Sequence, residues 1–404
     1  MAVTAGTAQE QPNTELPGTA WRDPKRYLWP LGLLVPLLPL IGWGLTSATG
    51  LGLFWWFGPL FLYGVLPILD TIIGTDALNP ADGVVAKLEA DRYYRWCIYL
   101  FIPLQFATLV WAAWKVTQGG MPWYDNLGLT ITTGIVGGVA INTAHELGHK
   151  RLNYERWLSK VALAQSAYGH FFIEHNRGHH GRVATPEDPA SSRFGESFFA
   201  FWPRTVGGSM TSAWSLERKR LDRSDHRLIS LHNDIISAWA MTAVLYIALI
   251  VAFGWKTIPF LAIQAVFGFS LLEVVNYLEH YGLRRQMGPD GRYERCQPRH
   301  SWNSNNVASN LILYHLQRHS DHHAHPTRRF QALRHFDEAP QLPSGYGTMI
   351  LLAYFPPLWR KVMDHRVVEH YGGDMTKAGV QPSKRAKVLA RYSPSAPAAP
   401  GDQP

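Results

Sequence analysis

The sequence predicts an all-α integral membrane protein: six transmembrane helices carrying a cytoplasmic, histidine-rich helical cap. Three observations predict it. Long apolar runs recur six times along the 404 residues, five without a charge and one, 51–73, with Asp70 near its end. The Lys and Arg between those runs concentrate in alternate connections, and most of the 18 His gather in dense groups on one side.

The runs cover residues 28–46, 51–73, 96–114, 127–144, 235–253 and 258–272 or beyond. Each approaches the ~20 residues that a helix needs to cross a bilayer. Pro30, Pro36 and Pro39 in the first run would break a soluble helix, but membrane helices tolerate them better. Connections 47–50 and 118–126 hold no Lys or Arg, whereas 76–95 holds Lys87, Arg92 and Arg95. Residues 150–160 and the chain from Arg284 onward are strongly basic, and only Lys115 and Lys256 fall on the other side. Positive residues favour the cytoplasmic face, so both termini and every histidine cluster are expected there.

That topology accounts for the net charge of +8 without nucleic acid. The 17% of charged residues is low against the ~25% usual for soluble chains. Two cysteines exclude a disulfide framework. The first twenty residues lack the apolar stretch of a secretory signal. The expected organisation is a polar tail (1–27), a transmembrane region (28–283) with a cytoplasmic insertion at about 145–234, a cytoplasmic cap (284–385), and a Pro/Ala-rich linker or tail (386–404). Within the cytoplasmic parts, 194–214 and 347–359 read as interfacial aromatic segments. Residues 224–233 read as a polar helical lead into the fifth span, and Gly288-Pro289-Asp290-Gly291 as a hairpin turn.

The chemistry lies in the histidines. His145-Glu-Leu-Gly-His149 closes the fourth span, and the i,i+4 spacing puts both rings on one helix face. Taken alone this is a zinc-protease pattern with Glu146 as general base. The second group is Glu174-His175-Asn-Arg-Gly-His179-His180, three rings spread over roughly 140° of an α-helix. The third is His319-Ser-Asp321-His322-His323, with His315 one turn before it and His325 just after. His280 ends the sixth span on one face with Asn276 and Glu273, an acid inside an apolar run. A zinc protease needs one ligand beyond the first pair, not the six of the second and third groups, so the abundance points to two ions. Imidazole suits iron, zinc, copper or nickel. Glu146, Glu174, Glu273, Glu279 and Asp321 are candidates to orient the rings and offset charge.

HELGHK, EHNRGHH, NYLEHYG and LQRHSDHHAHP together resemble the four signatures of the bacterial membrane alkane 1-monooxygenases. These belong to the integral-membrane histidine-rich class that includes fatty-acid desaturases and hydroxylases. The resemblance runs from about Lys25 to Lys361. It implies a non-haem di-iron centre, two iron ions held by His145, His149, His175, His179, His180, His280, His319, His322 and His323. His170, His315 and His325 fall outside the pattern. The implied activity is hydroxylation of the terminal methyl of a linear alkane to a primary alcohol, with O2 and two electrons. Alkane is expected to arrive from the membrane lipid through a bore in which Trp55, Trp56, Phe61, Leu62, Phe267 and Phe269 are bulky candidates. The chain has no GxGxxG and no CxxC pair, so the electrons come from outside. The resemblance makes the donor a rubredoxin, docked on Arg318, Arg328, Arg329 and Arg334 or fused beyond the Pro/Ala-rich tail. A fatty-acyl desaturase or hydroxylase, the zinc protease and a metal transporter are the alternatives. Histidines gathered at one face count against transport.

Overall fold

The computed structural model describes residues 21–392, which are helical, with isolated β-bridges and no strand among them. In chain order come α1 (Arg26–Thr49), α2 (Gly52–Ile73), α3 (Arg92–Thr117), α4 (Trp123–Gly148), α5 (Asn153–Leu163), α6 (Phe198–Arg223), α7 (Asp234–Phe253) and α8 (Thr257–His280). All but α5 and α6 are long and apolar enough to span a bilayer, the six expected crossings. α1 opens as 3-10 turns over Arg26–Leu37, where Pro30 and Pro36 remove backbone donors, and becomes α-helical from Leu38. α2 passes through a π turn at Phe61–Val65.

α4 is the axis of the bundle. It is buried over most of its length, against 22% of the corresponding window in α2 and in α7. Its tight partner is α8, and glycines make the closeness possible. A Cβ on Gly138 would fall 2.9 Å from the carbonyl oxygen of Gly268, and one on Gly268 would fall 3.0 Å from that of Gly134. Small residues at such a seam let two membrane helices pack backbone to backbone. Side-chain amides pin the same region: Gln264 donates to the Gln165 carbonyl at 2.8 Å, and Gln165 to the Thr133 carbonyl at 3.1 Å. The seam therefore fixes the end of α4, with His145 and His149, beside the end of α8, with His280.

Over these helix ends lies a cap. It contains the broken helical segment 171–182, α6, α9 (His319–Ala324), α10 (Tyr346–Ala353) and α11 (Pro356–His370). Asn142 of α4 donates to the Leu313 carbonyl at 2.7 Å and ties the cap to the bundle. A bridge between Met287 and Tyr293 closes the hairpin turn expected at 288–291. Three expectations change. Residues 224–233 are turns and bends rather than a helical lead, because the Asn233 side chain accepts from Ile235 N and Ile236 N and starts α7 there. Residues 194–214 are not one broken segment: a continuous helix runs from Phe198 through Pro203 to Arg223. The expected linker overlaps a helix, Arg385–Tyr392. The rest of that tail and residues 1–20 lie outside the described residues.

Candidate metal centre

Segment 171–182 begins with one α turn, Phe171–Ile173, then widens into a π-helix over Glu174–His179 before the turn His180–Arg182. The wide turn matters for the rings. The His180 backbone N–H bonds to the His175 carbonyl five residues back, and residues five apart share a face on a π-helix. The wide turn thereby aims His175 and His180 together, which an α-helix would hold about 140° apart, while His179 joins the other group. The third cluster is divided as well. Tyr314 and His315 adopt left-handed backbone (φ 50° and 56°), so helix α9 starts only at His319. His315 is turned away: its Nδ1 donates to the Phe330 carbonyl and its Nε2 faces Lys25 Nζ at 3.0 Å.

All nine histidines of the expected set converge, in two adjoining groups. His145, His149, His175, His180 and His322 form one, and His179, His280, His319 and His323 the other. Within each group the potential ligand atoms lie within 4.8 Å of one another. His180 and His323 join the groups, with ring centroids 4.4 Å apart. His170, buried beside Tyr168, and His325, paired with Asp321, stay outside both groups.

The donor set fits metal ions. His145 Nε2 lies 2.7 Å from His322 Nε2, which lies 3.0 Å from His180 Nε2, which in turn lies 3.0 Å from His175 Nε2. In the other group, His323 Nε2 and His319 Nε2 are 2.8 Å apart. Imidazoles bound to one ion at ~2.0–2.1 Å hold neighbouring nitrogens about 3 Å apart when at right angles. His149 Nε2, His179 Nε2 and both ring nitrogens of His280 are buried without a hydrogen-bond partner among the described residues. Orphaned buried polar atoms are costly, and a cation would satisfy them. Burial, and then the proximity of one imidazole to another, hold His149, His175, His180, His319, His322 and His323 well below the ordinary imidazole pKa. These six rings are therefore neutral, the form that ligates metal.

The carboxylates divide sharply. Glu279 Oε2 lies 3.2 Å from His319 Nε2, while its Oε1 accepts from the Tyr346 hydroxyl at 2.7 Å. The other four candidates are held by other groups. Glu146 takes Lys150 Nζ at 2.9 Å, and Glu174 takes Arg182 at 2.8 Å. Glu273 accepts from Tyr168 and Thr205, and Asp321 binds Arg328 and His325. A carboxylate that the sequence did not reveal is Asp188, fully buried in the loop after segment 171–182. It accepts from His179 Nδ1 at 2.9 Å and from the Ser191 hydroxyl at 2.6 Å. This contact fixes the His179 tautomer and leaves Nε2 for the centre. Only its position nine residues beyond His179 could have hinted at it.

The four arginines expected at a docking surface are engaged within the chain. Arg318 is buried and donates to the Asp76, Leu78 and Leu333 carbonyls. Arg328 binds Asp321, Arg329 binds Glu155, and Arg334 binds Asp82.

A small chamber of about 40 Å³ lies between the spans and against the histidines. Its walls are apolar, with Leu62, Val139, Leu271 and Ile350 among them, and it ends at His145, His175, His319 and Glu279. Of the bulky residues considered for a bore, Leu62 lines it. Trp55 packs instead in a separate apolar cluster, and Phe269 stacks on Tyr168 at 4.8 Å.

Comparison with known proteins agrees with this architecture. The family model described as fatty acid desaturase matches residues 121–353. An alkane 1-monooxygenase of Acinetobacter baylyi is 50% identical over 92% of this chain and 91% of its own length. Alkane 1-monooxygenase 1 of Alcanivorax borkumensis is 48% identical over 93% of each chain. The chain belongs to the fatty acid desaturase family, in its alkane 1-monooxygenase branch. More distant is the hydroxylase component of a xylene/toluene monooxygenase from Pseudomonas putida, 27% identical over 76% of this chain and 81% of its own.

Proposed function

We propose that this protein is a monooxygenase that hydroxylates the terminal methyl of linear alkanes. It would use O2 and two electrons supplied by rubredoxin, at a di-iron centre held by the nine histidines. The observation that carries the reading is the pair of converging, buried imidazole groups beside an apolar chamber between membrane spans. An alkane carries no charge or polarised bond for acid–base groups to address, so the oxidising power belongs to the bound metal, which activates O2. One oxygen atom enters the C–H bond, and the other leaves as water with two protons and two electrons.

The chain's own residues do the rest. Leu62, Val139 and Leu271 give the substrate an apolar lining, and alkane enters it from lipid, where each CH2 favours the bilayer by ~0.8 kcal/mol. A narrow bore presents a methyl end first, which selects the terminal carbon. Asp188 orients His179 through Nδ1, and Glu279 stands beside the metal-facing Nε2 of His319, while no carboxylate touches a ring of the five-histidine group among the described residues. His145, His175, His319 and Glu279 form the polar end at which the methyl stops. The basic connections next to the histidine-bearing helix ends favour a cytoplasmic centre in a bacterial inner membrane, reached there by the electron donor.

Metal analysis together with turnover of n-octane, O2 and reduced rubredoxin tests the reading. Two irons per chain and 1-octanol are expected. One zinc per chain with peptide cleavage would establish the protease instead, and a double bond placed in an acyl chain would establish a desaturase.

A further inference from the structure

Where α5, α6 and the start of α7 meet segment 171–182, a second pocket opens, with a volume of about 340 Å³. It shares only the helical segment with the histidine centre. Arg156, Lys160, Arg177 and Arg220 line it, with Asp234 as the single lining carboxylate, and Trp157, Phe172 and Asn153 complete the wall. Two carboxylates bind these cations. Asp234 accepts from Lys160 at 2.6 Å and from Arg177 at 3.2 Å, and Glu217 binds Arg177 at 2.8 Å and Arg220 at 2.6 Å. Four cations against two carboxylates leave an excess of two positive charges. Arg156 makes no ion pair among the described residues, and its guanidinium lies 5.9 Å from the Phe172 ring centroid.

The level of this pocket is set by the chain. Asp234 is the first residue of a membrane-spanning helix, and Lys160, bonded to it and to Ser237 at 3.2 Å, is buried at that level. α5 follows the end of α4 after four residues and leaves Tyr154 and Trp157 half exposed, as aromatic residues stand at a membrane–water boundary. Lys160 Nζ lies 4.3 Å from the Trp157 ring centroid. A soluble anion needs positive charge only. A pocket with excess positive charge, walled by aromatics and placed where lipid headgroups lie, fits an anion tethered to acyl chains.

We propose that this pocket binds the phosphate headgroup of an anionic phospholipid. Arg156 supplies the uncommitted charge, and Trp157 and Phe172 face the glycerol region. Arg177 belongs to the π turn between His175 and His179, so a bound headgroup also braces the turn that feeds both histidine groups.

The test uses the detergent-purified full chain, native mass spectrometry and thermal unfolding. Dioleoylphosphatidylglycerol should bind about tenfold more tightly than dioleoylphosphatidylcholine and raise the unfolding temperature more. Arg156→Gln should abolish that preference, Arg156→Lys should keep most of it, and Arg218→Gln, an exposed α6 arginine outside the pocket, should leave it unchanged. Equal binding of the two lipids, or an unaltered preference in Arg156→Gln, would overturn the proposal. Glycerol phosphate matching phosphatidylglycerol at equal concentration would overturn the lipid source and make this a soluble-anion site.

Discussion

The two histidine groups share a scaffold but are built differently. The four-histidine group is wholly buried, and two carboxylates touch it: Asp188 on His179 and Glu279 on His319. The five-histidine group leaves His149 and His180 half-buried and has one more ring, while Glu146 and Glu174 beside its histidines are bound to Lys150 and Arg182. One group has an acid holding His179 from behind and another beside the metal-facing nitrogen of His319, and the other relies on ligand number and packing. An ion in the first has part of its charge offset nearby, whereas an ion in the second meets only neutral donors. The difference predicts unequal affinity and unequal response to mutation.

The largest effect should come from deleting a ligand. His280→Ala should leave a folded protein whose turnover falls by ~10³-fold or more. Its metal content should drop in the four-histidine group, while His149→Ala depletes the other; metal-to-protein ratios and iron spectroscopy on both variants check this. Full turnover in His280→Ala would remove that ring from the centre.

Next comes the seam that sets the groups side by side. Gly268→Val pushes a side chain against the α4 backbone and should cost about 1–3 kcal/mol, read as a lower unfolding temperature. Both groups should lose metal together, unlike the ligand variants.

Asp188→Asn keeps the shape but removes the charge that holds His179. It should reduce metal affinity or turnover by about 10–100-fold. Glu174→Gln, beside the five-histidine group, should change metal affinity far less, because that carboxylate is paired with Arg182 rather than with a ring. Metal titrations of the two variants against the parent give the ratio directly.

The smallest effect concerns the chamber, which serves both groups. Leu62→Trp should leave turnover of the shortest alkanes nearly intact and lower the decane-to-hexane product ratio several-fold, measured by competitive turnover. An unchanged ratio would mean that substrate does not pass Leu62.

The contrast also shows what a sequence can carry. The spans were legible because hydrophobic length is a one-dimensional property, and the three histidine clusters because their spacing is dense and local; the family resemblance, not spacing, added His280 and set His315 aside. Their division between groups was not. On an α-helix His175 and His180 would point about 140° apart, and only the π turn at Glu174–His179 brings them onto one side. Likewise the left-handed backbone at Tyr314 and His315 removes from α9 a histidine that sequence spacing places on it. Asp188 escaped notice because it sits in an irregular loop with no periodicity to mark it. Arg318, Arg328, Arg329 and Arg334 appear as free positive charge in a sequence, yet tertiary contacts engage all four.

The glycine contact between α4 and α8 has a consequence for register. Gly138 lies seven residues before His145, and Gly268 twelve before His280. One residue inserted in either interval would turn the ring-bearing end by about 100° and advance it by about 1.5 Å. The hydropathy of the span would scarcely change, and a membrane would accept it as before. The imidazoles would nevertheless swing out of reach of their partners, so these two intervals act as fixed rulers whose length, more than their composition, decides whether a centre can assemble.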